Sequence, residues 1–476
     1  MDKSKVKLLH SRYNPHLEAE RYIASLTLNE GIRYFILIEP GLCYIAAPLK
    51  KRFPLAKLIA LHAEKHAREG GIEMPDSQWH PETGISIQDF LEAEIEDSQA
   101  REIKLLEWRP AISVYGEAYR ALIEEAAEFI KRVDASKRTL GVFGRFWFKN
   151  FFKNLDIIKK VLYPTHFSLP LLVTGAGPGL EDAIPLVREH KNKLCILASS
   201  SSVAALLNAG LKPDMIISTD GSKWAKLHLY ESFRLKQLYC PIAAALSAAL
   251  PSQCETLPLL LLSDGSLWQT LILEELKLPY IALPQRGTVS ATALDMAFAL
   301  TTGEIYIAGI DLENRDIRSH ARPYSFDRFL EEKSGRTKPV YSETYKRSSL
   351  LKEGGAYDIY ASWFKKQLAF YPKRLHPLGK NNHIFGKQES FSGENYDEKS
   401  SMENFDFKTL TLPPGEVNSQ KALGVLQRAL KDSAYSDILQ KELAPLLLNG
   451  KTGTQGEELE DIILETIAIR REGKNG

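Results

Sequence analysis

Leu171-Leu-Val-Thr-Gly-Ala-Gly-Pro-Gly179 and Ile305-Tyr-Ile-Ala-Gly-Ile-Asp311 bracket the stretch that decides the fold. Each opens on a short, mostly apolar run that leads into glycine. Between them the same rhythm repeats. Leu194–Ala198 leads to Ser199-Ser-Ser-Ser202, Met215–Ser218 to Thr219-Asp220, Leu257–Leu262 to Ser263-Asp264-Gly265, and Ile281–Leu283 to Gln285-Arg-Gly-Thr288. Helical patterns such as Leu180–Glu189 separate them. Short continuous apolar strands alternating with helices predict a mostly parallel, Rossmann-like sheet buried on both faces. In such sheets ligands bind beyond the carboxyl ends of the strands. The polar clusters Gly175–Gly179, Ser199–Ser202, Asp220–Ser222, Gly287–Ser290 and Asp311 all fall at such ends, and together they predict one pocket.

Outward from this core the pattern changes. Residues 1–85 hold a helical stretch, Leu17–Leu26, and two apolar runs, Tyr34–Ile38 and Lys57–Leu61, which predict a small N-terminal α/β domain. Residues 86–167 read as a helical connecting region that ends in the aromatic block Phe143–Phe152, expected to pack between domains. The core spans 168–385, with a polar loop or lid over 313–350. Residues 386–408 read as a linker. Residues 409–476 carry amphipathic helix patterns suited to dimerisation, a homo-oligomer, or partner docking.

Composition limits what the chain can do. It has 476 residues, 44% hydrophobic and 25% charged, with 61 Lys plus Arg against 60 Asp plus Glu, a formal charge of +1. A near-neutral chain has no global field for nucleic acid. The four cysteines form no C-x-x-C pair, so neither a zinc nor a dithiol site is expected. Cys43 and Cys195 sit in apolar runs and read as small buried hydrophobes, as in a reducing cytoplasm; the charged N-terminus lacks a signal-peptide core, and the uncharged runs Val161–Leu180 and Gln237–Cys254 are broken by proline, so no membrane span is expected.

Each candidate side chain has two readings. Gly175–Gly179 serves equally well as a strand-to-helix turn or as a phosphate cradle, because glycine admits close backbone approach and the next helix offers free N–H groups. Asp220 and Asp311 are either caps or turn formers, or ligands for sugar hydroxyls. No D-x-D pair is present, which argues for a metal-independent reaction. His320 suits a proton acceptor, although a loop histidine is more often a surface residue. Tyr324 suits a donor to a leaving phosphate, or simple packing.

Several motifs together resemble one family. Val173-Thr-Gly-Ala-Gly-Pro-Gly-Leu180, Lys212-Pro-Asp214 with Asp220, Gly287-Thr-Val-Ser290 and Ile305–Leu312 resemble the motility-accessory-factor (flagellin glycosyltransferase) family. So do Tyr13–Arg21, Arg145–Asn150 and Asn154. The resemblance covers most of residues 10–330. The family's MptE-like core is shared with archaeal 6-hydroxymethyl-dihydropterin pyrophosphokinases and is similar to bacterial sialyltransferases. The resemblance implies an inverting glycosyltransferase, without cofactor or metal, that moves a nonulosonic acid of pseudaminic or legionaminic type from its CMP form to Ser or Thr of flagellin. It implies that Gly175, Gly177, Pro178, Gly179, Ser199, Ser200, Asp220, Gly287, Thr288 and Asp311 bind the nucleotide sugar. His320 and Tyr324 would be catalytic. Two departures stand out: Gly179 replaces the family's usual serine, and Ala176 replaces an asparagine of the sialyltransferases. Two alternatives follow: a pterin pyrophosphokinase drawing on Mg²⁺ with Asp220, Asp264 and Asp311, or a flagellin-binding scaffold with impaired catalysis.

Overall fold

A computed structural model describes residues 9–65, 74–95, 102–234, 240–284, 286–353, 356–379, 384–385, 407–448 and 456–468. The chain divides into two compact units, Met1–Thr139 and Leu140–Gly476. The first unit is larger than the 1–85 domain expected from sequence. The linker expected at 386–408 lies, except for its last two residues, outside the described residues. Phe407, one of those two, is buried.

The first unit is built on a four-stranded parallel sheet. Strands β1 (Tyr34–Ile38), β2 (Lys57–Leu61), β3 (Ser77–Trp79) and β4 (Ile103–Glu107) lie in the order β3-β2-β1-β4. β1 and β2 are the two apolar runs read from sequence. β4 lies in the stretch read as a helical connecting region: in Ile103-Lys-Leu-Leu-Glu107 the side chains of Ile103 and Leu106 are buried and those of Lys104 and Glu107 exposed, as suits a strand at the edge of the sheet. Helix Pro15–Ser25 starts where Asn14 caps it by accepting from the Leu17 amide, with Pro15 at the first position. Fully buried Glu39 joins the ends of β1 and β2: its carboxylate accepts from the Ala63 amide at 2.5 Å and lies 3.5 Å from His62.

The second unit carries a ten-stranded sheet. Its strands are β5 (Lys160–Leu162), β6 (Leu171–Thr174), β7 (Cys195–Ser199), β8 (Met215–Ser218), β9 (Ile242–Ala245), β10 (Leu259–Ser263), β11 (Tyr280–Ala282), β12 (Ile305–Ala308), β13 (Leu375–Pro377) and β14 (Thr409–Thr411). The order is β13-β12-β6-β7-β8-β9-β10-β5-β14, with β11 also beside β10. Every pairing is parallel except β14 with β5. Both faces are buried. Leu172, Ile196 and Ile216 point to one core, while Leu171, Val173, Leu197 and Ile217 point to the other, which holds helix Val289–Leu300. This two-sided burial explains why the strands read as uninterrupted apolar runs.

Phe148, Phe151 and Phe152 of the aromatic block lie in this unit's core, while Phe143 and Phe146 are exposed. Phe148 and Phe151 pack on Trp268 at ring distances of 5.3 and 4.6 Å. Tail helices Ser419–Lys431 and Ser436–Leu447 pack in the same core through Ala422, Leu426, Leu439 and Leu443. Glu442 accepts from the amides of Leu267 and Trp268 at 2.8 and 3.1 Å, capping helix Leu267–Glu275. Cys43, Cys195 and Cys254 are buried and all four cysteines are unpaired; burial pushes the Cys240 and Cys254 thiols up to about 12, where thiolate is scarce. Among the described residues no helix is long and apolar enough to cross a membrane.

Candidate functional site

The sheet order creates a crevice. From β6 the chain steps outward through β7, β8, β9 and β10, then returns to lay β12 on the other side of β6. The gap between the ends of β6 and β12 is therefore a topological switch point. The two loops that leave it are joined to each other. Gly175 donates to the Ala308 carbonyl at 2.8 Å and Gly177 to the Gly309 carbonyl at 2.7 Å. The Gly179 amide donates to the Asp311 carboxylate at 2.6 Å.

This contact explains the glycines. A Cβ on Gly175 would collide with the Gly309 carbonyl, and one on Gly177 or Gly179 with the Asp311 carboxylate. The Gly179 of this chain thus matches the seat of Asp311, which a serine there would disturb. Asp311 acts as the cap of helix Gly179–Glu189, the first of its two sequence readings. The cap occupies the first amide of that helix, whose first turn carries Glu181 and Asp182.

The neighbouring strand ends use much of their polarity internally. Ser202 Oγ lies 2.8 Å from Thr174 Oγ1 and donates to the Ser199 carbonyl, while Ser199 Oγ is 3.2 Å from Ser201 Oγ. Ser199 and Ser200 are buried. Asp220 is exposed and forms a turn, accepting from the Ser222 amide at 2.8 Å and its hydroxyl at 3.1 Å. The long helix Glu117–Leu155 holds the loops beyond β8 and β9. Asn150 donates to the Gly221 and Ser247 carbonyls, and Asn154 to those of Leu246 and Ala248.

Gly287 and Thr288 precede helix Val289–Leu300, which lies across β6, β7 and β8. Gly287 has φ +73° and its carbonyl accepts from Tyr360. Thr288 makes no side-chain cap, and the first turn of the helix holds no acid. Of the two helix starts, this one suits an anion. Behind it Arg286 pairs with Asp295 at 2.7 Å. Burial nevertheless leaves the Asp295 carboxyl above its ordinary range, the Arg286 contact offsetting only part of that effect.

The segment after Asp311 folds back over the Gly loop. Arg315 pairs with Asp182 and Arg318 with Glu181, at 2.5 and 2.8 Å. The Ala321 amide donates to the Ala176 carbonyl at 2.8 Å, so Ala176 contributes its backbone to this tie. His320 is half-buried; its Nδ1 is 2.7 Å from Ser319 Oγ, and its ring stacks on Tyr324 at 4.0 Å. Tyr324 is buried. His320 and Tyr324 are thus together, close to the Gly175–Gly179 turn. His228 and Trp224, which sequence reading left unremarked, pack against this segment; only their four-residue spacing could have pointed to them. Asp220, Asp264 and Asp311 are each committed to local bonds, Asp264 with Ser266 and Gln269. Among the described residues no group of three or more His, Cys, Asp or Glu is arranged to hold a metal ion.

Comparison with known proteins adds the following. Residues 147–316 match the family model described as 6-hydroxymethylpterin diphosphokinase MptE-like. An uncharacterized protein of Treponema pallidum (strain Nichols) is 28% identical over 285 residues, 60% of this chain and 61% of that one. A second uncharacterized protein of the same organism is 32% identical over 81 residues, 16% of this chain and 39% of that one. The chain therefore spans less than two thirds of the length of these curated relatives. The solved MAf glycosyltransferase from Magnetospirillum magneticum AMB-1 is similar over 98% of this chain and 78% of that chain, at 14% identity and a TM-score of 0.44.

Proposed function

We propose that this protein is a cytoplasmic glycosyltransferase that moves a nonulosonic acid from its CMP donor to a Ser or Thr hydroxyl of flagellin, with inversion and without a metal. One observation carries the reading: the motif-bearing ends of β6, β7, β8 and β12, with the His320–Tyr324 segment, share the switch-point edge of a single sheet. The MptE-like match over residues 147–316 supports it, because that segment contains these strand ends.

The chemistry follows from the parts. The anionic end of the donor is drawn to the uncapped start of helix Val289–Leu300 rather than to the acid-lined start of helix Gly179–Glu189. His320 takes the proton of the acceptor hydroxyl as its oxygen bonds to the anomeric carbon, and the bond from that carbon to the CMP phosphate oxygen breaks. Tyr324 donates to the departing phosphate. Incubation with flagellin and a CMP-nonulosonate tests this: acceptor mass should rise by one sugar, and calorimetry should show CMP binding. Absence of both overturns the proposal.

The description of the matching family favours one other reading, diphosphoryl transfer from ATP to a pterin alcohol. Its three candidate carboxylates are each bonded locally, which counts against it. ATP-dependent formation of the pterin diphosphate would reverse the order.

A further inference from the structure

We infer that His228 and Trp224 are positioning residues that seat the His320–Tyr324 segment over the switch-point crevice; the assignment rests on the activity proposed above. Both lie just beyond β8. Trp224 is in the turn that starts helix Ala225–Arg234 and His228 is one helical turn later, so the two rings share a side of that helix. The side they form receives three rings of the segment. His228 stacks on Phe326 at 4.9 Å with 21° between planes, and meets Tyr324 at 5.4 Å. Trp224 meets Phe326 at 6.2 Å and Phe329 at 5.0 Å, both edge-on. Tyr324 in turn stacks on His320 at 4.0 Å.

The platform itself is fixed to the sheet. Ala225 and Leu229 are buried, and Asn150 of the long helix holds the Gly221 carbonyl immediately before it. A continuous series of ring contacts thus runs from His228 through Tyr324 to His320. The other end of the segment is held by the Arg315–Asp182 and Arg318–Glu181 pairs, whose side chains keep between 13% and 37% exposure. Water and salt reach such pairs and weaken them. His228, Tyr324 and Phe326 are buried, so the aromatic contact is the firmer anchor. A proton acceptor whose ring leans on this stack loses its aim when the stack is cut, and small misplacement is costly to rate.

The test compares His228→Ala, His228→Phe and Trp224→Ala in the full chain. Hydrogen exchange without substrate is read first: amides of residues 320–329 should exchange faster in His228→Ala and at the original rate in His228→Phe. Glycosyl transfer is read second: kcat should fall about 10- to 100-fold in His228→Ala with the KM for the donor unchanged, and His228→Phe should restore most of it. Trp224 is 43% exposed, so Trp224→Ala keeps the fold if His228→Ala does not; it should loosen the same amides. Unchanged exchange in the alanine variants overturns the inference. So does a His228→Phe enzyme as slow as His228→Ala, which would assign chemistry to the imidazole itself. If the original protein glycosylates nothing, the proposed activity fails while exchange still decides the seat.

Discussion

Gly175, Gly177 and Gly179 face one partner loop but differ in what resists a side chain. At Gly175 the obstacle is the Gly309 carbonyl, part of the backbone; at Gly179 it is the tip of Asp311, which can swing away. Gly175→Ala should therefore cost about 1–3 kcal/mol of stability, the range for an overpacked site. Gly179→Ala should cost about 1 kcal/mol, the loss of one cap. Urea unfolding of the two variants checks this, and a larger loss at Gly179 would mean that Asp311 cannot move. From sequence the glycine run was legible as a place of close approach. The identity of the approaching group was not, because Asp311 lies 132 residues away along the chain. The same distance hid the reason for Gly179, which looks like a lost hydroxyl until the carboxylate opposite is seen.

Elements were legible where an uninterrupted run of large apolar residues ends at a polar turn, and illegible where small residues or an edge position break that pattern. β6, β7, β8 and β12 stand out as apolar runs ended by glycine, serine or aspartate. β9 is Ile242-Ala-Ala-Ala245, whose alanines have low strand preference, and its place comes from pairing on both sides. β13 ends in Pro377 and survives at the edge of the sheet, where a missing N–H is tolerated. The long helix shows what such local reading misses: its aromatic face marks a buried element, but Asn154 does a separate task four residues from Asn150. Asn154 is buried and its amide donates to two loop carbonyls at 2.8 and 2.7 Å. Asn154→Ala removes the side-chain donor from both carbonyls, that of Ala248 keeping the Leu250 amide, and should cost about 2 kcal/mol, seen as a lower urea midpoint. Glu442 of the tail performs a cap for helix Leu267–Glu275; Glu442→Ala should cost about 1 kcal/mol. No loss of stability would detach the tail helix from the core described above.

Two units, each with its own buried core, imply more than one cooperative transition on unfolding. Titration offers a way to tell the transitions apart, because the two units hold carboxyls shifted in opposite senses. In the first unit burial tends to raise Asp76, but the Leu58 amide and the Lys50 ammonium outweigh it and leave its pKa below the ordinary value. Its folded pKa is depressed, so it contributes stability above the unfolded pKa of about 3.9, and that contribution is lost as pH falls through the folded value. In the second unit burial leaves Asp295 raised despite Arg286. Its contribution is present below about pH 3.9 and is lost as pH rises through the folded value. Acidification from pH 5 should therefore remove support from the first unit at Asp76 while Asp295 acts the other way in the second. Asp76→Asn should lower the first unit's transition at pH 7 and flatten its loss toward acid, with the second unit's transition unmoved. Scanning calorimetry at several pH values, with hydrogen exchange to assign each transition, measures this. A single transition that moves as a whole in Asp76→Asn would show that the units unfold together, and the separate cores would then be features of packing only.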